Sequence, residues 1–317
     1  MRTTAWALLA LAALAGCAPA QPFFSPVSTE LPPGWSLRPL PGADMGRTVQ
    51  VLEREARAPP ARYRLVVLPG SGCTGFAPFA ARYFASALHA RVQVLHKPGA
   101  SVHAGATPQR CPPAFDASDR LDVWQADARA ALQALGSEPE TGAPLPLVLV
   151  GISEGAELLP ALAAQAPHLA GLVLVSASGL DPVEAGALQA DRLGASGRWQ
   201  GLGERVAGSE ADTQQIEGRS LAAWRVLWRW RMSDALIDGP WPFLQVFGTV
   251  DALVPPSAYA RFAERARDRS APWCARALPG ADHGLQGPAG DGVQALWRWL
   301  EDAARTPQPG SCLPLGR

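Results

Sequence analysis

The sequence predicts an α/β protein with a mostly parallel sheet and helices on both faces. Three observations carry that expectation. Short apolar runs such as LPLVLV (145–150) and GLVLVS (171–176) have the length and β-branched content of strands buried on both sides. Other segments repeat their apolar residues at helical spacing, as in Leu121, Trp124, Ala128, Ala131, Leu132 and Leu135. The two kinds of segment alternate, and such a series buries its strands by forming one sheet between helix layers.

In chain order, strands are expected at 48–52, 63–68, 92–95, 145–150, 171–176, 243–247 and 274–278. A long helix should start near Ser118, capped by Ser118 or Asp119. Others should follow Glu154 and cover 259–267 and 293–303. Together these form one domain over 46–305, interrupted by an insertion at about 180–240. The insertion holds LAAWRVLWRWRM, with Leu221, Trp224, Trp228 and Met232 near helical spacing. Of 11 tryptophans, four lie between Trp199 and Trp230. That concentration predicts a helical cap, its tryptophan face against the domain and lining a pocket. Tryptophan beside arginine is also the signature of a helix lying in a membrane interface.

The 317 residues are 48% hydrophobic, ample for a large core. Basic and acidic residues balance at 28 each, and Lys97 is the only lysine. A neutral chain argues against nucleic acid as a partner. At the start, MRTTAWALLALAALAGC has a positive residue, Arg2, then an apolar stretch shorter than the ~20 residues a spanning helix needs. Leu14-Ala15-Gly16-Cys17 resembles the bacterial lipobox. The resemblance implies removal of residues 1–16 and a lipid anchor on Cys17. With Ala18 next, it implies the periplasmic face of the outer membrane. Residues 17–45, rich in proline and serine, then read as a tether, and 306–317 as a C-terminal tail.

The chemistry concentrates at VLVGISEGAEL, 148–158, where an apolar strand meets a helical pattern at Ser153. Gly151 and Gly155 flank the serine, as a sharp strand-to-helix turn requires when two backbones approach closely. A serine nucleophile needs a base to take its proton and a carboxylate to orient that base. Of five histidines, His283 in LPGADHGL follows the last expected strand. His89 and His168 read as structural, while His96 and His103 could line a pocket. Asp251, in FGTVDALVPP, follows the strand before and is the favoured acid over Asp282.

With PGSG, GISEG, GTVD and ADHG in this order, residues 47–304 resemble the α/β-hydrolase family. The resemblance implies that Ser153 attacks an acyl carbonyl, His283 serves as base and then acid, and Asp251 orients it. Backbone N–H groups of Glu154 and of the PGSG loop, at Ser71 with Gly72 or Cys73 as the alternatives, would form the oxyanion hole. Many relatives have His-Gly where this chain has Pro69-Gly70, and backbone donors tolerate that change. Serine rather than aspartate as nucleophile excludes epoxide and haloalkane chemistry. The family favours hydrolysis of a carboxylic ester on a small-molecule acyl substrate, with no cofactor. A peptidase, thioesterase, acyltransferase or non-catalytic binding lipoprotein is the alternative. In an exported chain, Cys73, Cys111, Cys274 and Cys312 allow three pairings. Under the expected fold, Cys73–Cys111 and Cys274–Cys312 join segments beside neighbouring elements, whereas C-x-x-C spacings that would suggest zinc are absent.

Overall fold

The structure, a computed structural model, describes residues 30–103, 111–138, 142–306 and 312–315. Cys17, the expected leader and the first part of the tether lie outside the described residues. The first half of the chain forms β1 (Ser36–Pro41), β2 (Thr48–Arg54), β3 (Tyr63–Leu68), α1 (Ala77–Tyr83) and β4 (Ala90–Leu95). Then come α2 (Pro113–Ser118), α3 (Leu121–Gly136), β5 (Leu147–Ile152), α4 (Leu159–Ala163) and β6 (Leu169–Val175). The insertion contributes α5 (Pro182–Arg192), α6 (Ser196–Ala207), a hairpin of β7 (Gln215–Ile216) and β8 (Arg219–Ser220), α7 (Leu221–Arg229) and α8 (Ser233–Asp238). The chain returns through β9 (Phe243–Gly248), α9 (Pro256–Arg265), β10 (Trp273–Leu278), a hairpin of β11 (Gln286–Gly287) and β12 (Gly290–Asp291), and α10 (Gly292–Arg305).

One eight-stranded sheet runs in the order β1-β2-β4-β3-β5-β6-β9-β10. Pairing is antiparallel from β1 to β2 to β4 and parallel across the rest. Alternate side chains of β3 feed two separate cores. Leu65 and Val67 join Phe84 of the α1 end and Trp297 of α10 on one face. Val66 and Leu68 join Trp124 of α3 and Phe262 of α9 on the other. The period of two in a strand divides one apolar run between two helix layers. On α10, Val293, Leu296, Trp297 and Leu300 make the buried stripe. Asp291 caps that helix by accepting from the amides of Val293 and Gln294 at 2.9 and 3.2 Å.

Three local expectations need correction. The sheet begins inside the stretch expected as tether: β1 pairs with β2 from Ser36↔Glu53 to Pro41↔Thr48. Its two prolines disguise it, yet an edge strand tolerates residues that cannot donate on its open side. Neither Ser118 nor Asp119 caps α3, which starts after Arg120. Ser118 donates back to Ala114 and Pro98 carbonyls, and Asp119 pairs with Lys97 and Arg219. The segment after Ser153 first forms a tight 3₁₀ turn, Ser153–Leu158, before α4.

Within the cap, α7 ends at Arg229, so Met232 is a buried residue at the start of α8. The tryptophan face packs inside the cap itself: Trp199 lies 4.6 Å from Trp228 and 6.4 Å from Trp224, between ring centroids. Leu202, Val206, Ile216 and Leu221 complete that small core. A face covered in this way does not present the apolar surface that an interfacial helix needs. Among the described residues, no helix is long and apolar enough to cross a membrane.

Cys73 is bonded to Cys111 and Cys274 to Cys312, with Cα–Cα separations of 5.6 and 5.7 Å. The second bond holds the chain end on β10, where Leu313 and Leu315 are buried in the core. Each bond spans a sequence separation of 38, a loop for which chain entropy gives roughly 3–4 kcal/mol. Reduction should therefore lower the urea midpoint clearly, read by tryptophan fluorescence with and without reductant. An unchanged midpoint in fully reduced protein would remove the bonds from the account of stability.

Candidate active site

β5 delivers Ser153 to the carboxyl edge of the sheet, near its middle. The backbone there is unusual, with φ of +50° at Ser153. A non-glycine residue in that left-handed region costs of order 1–3 kcal/mol, which the surroundings must offset. They do so by contact too close for side chains. A Cβ on Gly151 would lie 2.3 Å from Ala156 Cα, and one on Gly155 2.2 Å from the Leu68 carbonyl oxygen. Gly155 thus lets the turn press on the end of β3. From the same side, a Cβ on Gly70 would lie 3.3 Å from Ser153 Cβ, so the PGSG loop rests against the serine.

Asp251 and His283 come from the loops after β9 and β10, and the structure brings them together. His283 Nδ1 lies 2.8 Å from Asp251 Oδ2. Asp251 is fully buried, and its Oδ1 accepts from the amides of Leu253 and Val254 at 2.7 and 3.0 Å. Those two bonds fix the carboxylate, leaving Oδ2 to meet the imidazole. With Nδ1–H donating, Nε2 carries the basic lone pair. Asp282, the other candidate acid, accepts instead from Gln286 within its own turn, at 2.9 Å. One positioning residue escaped sequence reasoning. Buried Ser176, at the end of β6 with φ of +52°, donates to the His283 carbonyl at 2.6 Å. Serine in an ordinary SAS sequence gives no signal of that role.

The Glu154 carboxylate belongs to a largely buried group of four charges. Lys97 Nζ donates to its Oε1 at 2.7 Å, and Arg219 holds its Oε2. Asp119 completes the group, 3.5 Å from Lys97 Nζ and 3.2 Å from Arg219 Nε. Lys97 also stands 4.6 Å over the Trp124 ring. Since Arg219 belongs to β8, this group fastens the cap to the residue beside Ser153. Burial alone would raise the Glu154 carboxyl, but Arg219 and Lys97 outweigh it and bring the pKa down to about 2. A depressed carboxylate stabilises the fold above the ordinary glutamate range of ~4.3 and loses that contribution as pH falls towards the folded value. The cap should therefore loosen between about pH 4 and pH 2, seen as loss of near-ultraviolet tryptophan dichroism. A signal flat across that window, with the sheet intact, would mean that the four charges do not hold the cap.

Ser71, Ser153 and Glu154 line one cleft with Ser176, and the cap adds Trp199, Trp224 and Leu227. His96 and His103 are not among the lining residues. His96 is buried behind the PGSG loop, where its Nε2 accepts from the Phe76 amide at 3.0 Å. Burial pushes its pKa down to about 4, against the pull of its backbone hydrogen bonds.

No protein-family model and no curated protein matches the chain. Solved structures do. Est1E from Butyrivibrio proteoclasticus, with ferulic acid bound, superposes with a TM-score of 0.59 at 13% identity, over 85% of this chain and 100% of that one. The esterase domain of a Rhodothermus marinus protein gives 0.54 at 18%, covering 86% and 98%. A puromycin-hydrolysing peptidase from Mycobacterium tuberculosis gives 0.56 at 19%, over 85% of this chain and 38% of the peptidase. Identities this low speak for architecture alone. With its mostly parallel eight-stranded sheet between helices and these superpositions, the chain has the α/β-hydrolase fold.

Proposed function

We propose that the protein is a serine hydrolase that cleaves carboxylic esters through an acyl-enzyme. The observations that carry this reading are the strained Ser153 that lines a cleft at the end of β5 and the His283–Asp251 pair on the loops after β9 and β10. Ser153 Oγ attacks the ester carbonyl as His283 Nε2 takes its proton, forming a C–O bond and a tetrahedral oxyanion. Backbone N–H groups of Glu154 and Ser71 stabilise that oxyanion, and the four-charge group beneath Glu154 keeps its amide in place. Collapse expels the alcohol, which receives the proton from His283. Water, deprotonated by His283, then releases the acid and restores Ser153.

The esterase neighbours support an ester substrate. The peptidase neighbour favours amides as a second reading. A screen of 4-nitrophenyl esters of increasing chain length, with an amino-acid anilide beside them, separates the two. Ester turnover that vanishes in Ser153→Ala is the expected result; turnover of the anilide alone would shift the reading to a peptidase. The same proposal places the protein in the bacterial envelope through lipid on Cys17. Palmitate should label the expressed chain and spare Cys17→Ser, and an unlabelled wild type would leave a protein without this anchor.

A further inference from the structure

Two side-chain oxygens in the Ser153 cleft accept no hydrogen bond from the described residues. They are Glu157 Oε2 and Gln189 Oε1, both sealed from solvent. Gln189 is 3% exposed, and its orientation is fixed because Nε2 donates to the Ala252 carbonyl at 2.8 Å. Turning the amide over would set two oxygens against each other. Glu157 follows Ser153 by about one helical turn, in the 3₁₀ segment. A buried acceptor without a donor costs about 1–3 kcal/mol, so two in one cleft call for a reason.

The surrounding charges are already matched. Glu154 is held by Lys97 and Arg219. Asp181 accepts from the amides of Met232 and Ser233 at 2.8 and 3.0 Å, with Arg231 3.6 Å away. Glu157 is the acid left over. Burial first, then the charges of Glu154 and Asp181, push its carboxyl well above the ordinary range. A cation beside it would act against both of those causes and favour the ionised carboxylate. Trp199 and Trp224 line the same cleft.

One group answers all of this. An ammonium has three donors and no acceptor, and it brings the charge that Glu157 lacks. A carboxylate or phosphate would instead add negative charge beside Glu154, Glu157 and Asp181. We propose that this cleft recognises a protonated amine through Glu157 and Gln189 Oε1, so that the substrates are amine-bearing esters or amides. The naming of substrates rests on the serine-hydrolase reading; the amine site does not.

The experiment keeps the two apart. n-Butylammonium is titrated by calorimetry into the wild-type protein and into Glu157→Gln, with n-butanol as the neutral comparison. Wild type should bind the cation well above the alcohol, and Glu157→Gln should weaken it by roughly 30-fold or more, as expected when a buried charge partner is removed. Equal binding of cation and alcohol by wild type, or a cation affinity unmoved in a folded Glu157→Gln, overturns the site. Should the variant fail to fold, the cation-against-alcohol comparison on wild type still decides. In parallel, the turnover ratio of an alanine ester to its isobutyrate isostere, and of a 2-aminoethyl ester to its propyl isostere, is measured in both proteins. A ratio in one pair that collapses in Glu157→Gln supports the substrate class, and ratios unchanged in both pairs overturn it. Butylammonium binding in a protein whose Ser153 is inert would uphold the amine site and defeat only the hydrolase reading.

Discussion

Ser153→Ala is expected to lower kcat for ester hydrolysis by about 10⁶, the scale seen when the nucleophile of a serine triad is removed. The size follows from what Ser153 supplies. Without its Oγ there is no acyl-enzyme, and water must attack the ester directly, helped by the oxyanion donors and His283 alone. The substitution should leave the fold intact, because alanine keeps the Cβ that Gly70 packs against. Relief of a strained nucleophile can even raise stability. Steady-state kinetics on freshly purified variant, with a thermal melt beside it, tests both statements. Residual activity within tenfold of wild type would place the nucleophile elsewhere.

Asp251→Asn should lower kcat by about 10⁴ while barely changing the melting behaviour, as replacement of the triad aspartate does when geometry is kept. Asn can retain an oxygen where Asp251 Oδ1 accepts from Leu253 and Val254. Its NH₂ then replaces Oδ2 and faces His283 Nδ1. Two donors cannot share that 2.8 Å contact, so the ring must carry its proton on Nε2, where it cannot act as a base. KM should change little because Asp251 is buried away from bound substrate. If Asp251→Asn works nearly as well as wild type, Asp282 becomes the acid despite its bond within its own turn.

The parts of this molecule that follow local rules were legible in its sequence. Strands such as Tyr63–Leu68 are continuous apolar runs buried on both faces, so length and composition suffice to find them. Gly151 and Gly155 announce the elbow because contacts of 2.2–2.3 Å admit no other residue. β1 was hidden because its prolines weaken every strand signal, and its pairing with β2 is a tertiary fact. The charge group of Lys97, Asp119, Glu154 and Arg219 draws on four separate segments, and sequence spacing says nothing of such convergence. The same holds for Ser176 on the His283 carbonyl. For Glu157 and Gln189 the informative property is a missing partner, which no sequence pattern encodes.

The most direct test of the central claim is covalent. The purified protein is treated with a fluorophosphonate, digested, and the modified peptide identified by mass spectrometry. The account predicts a single phosphonylated serine, Ser153, whose labelling is lost in Ser153→Ala and slowed severely in Asp251→Asn. Labelling that persists in Ser153→Ala, or a folded wild-type protein that takes no label at all, would contradict it.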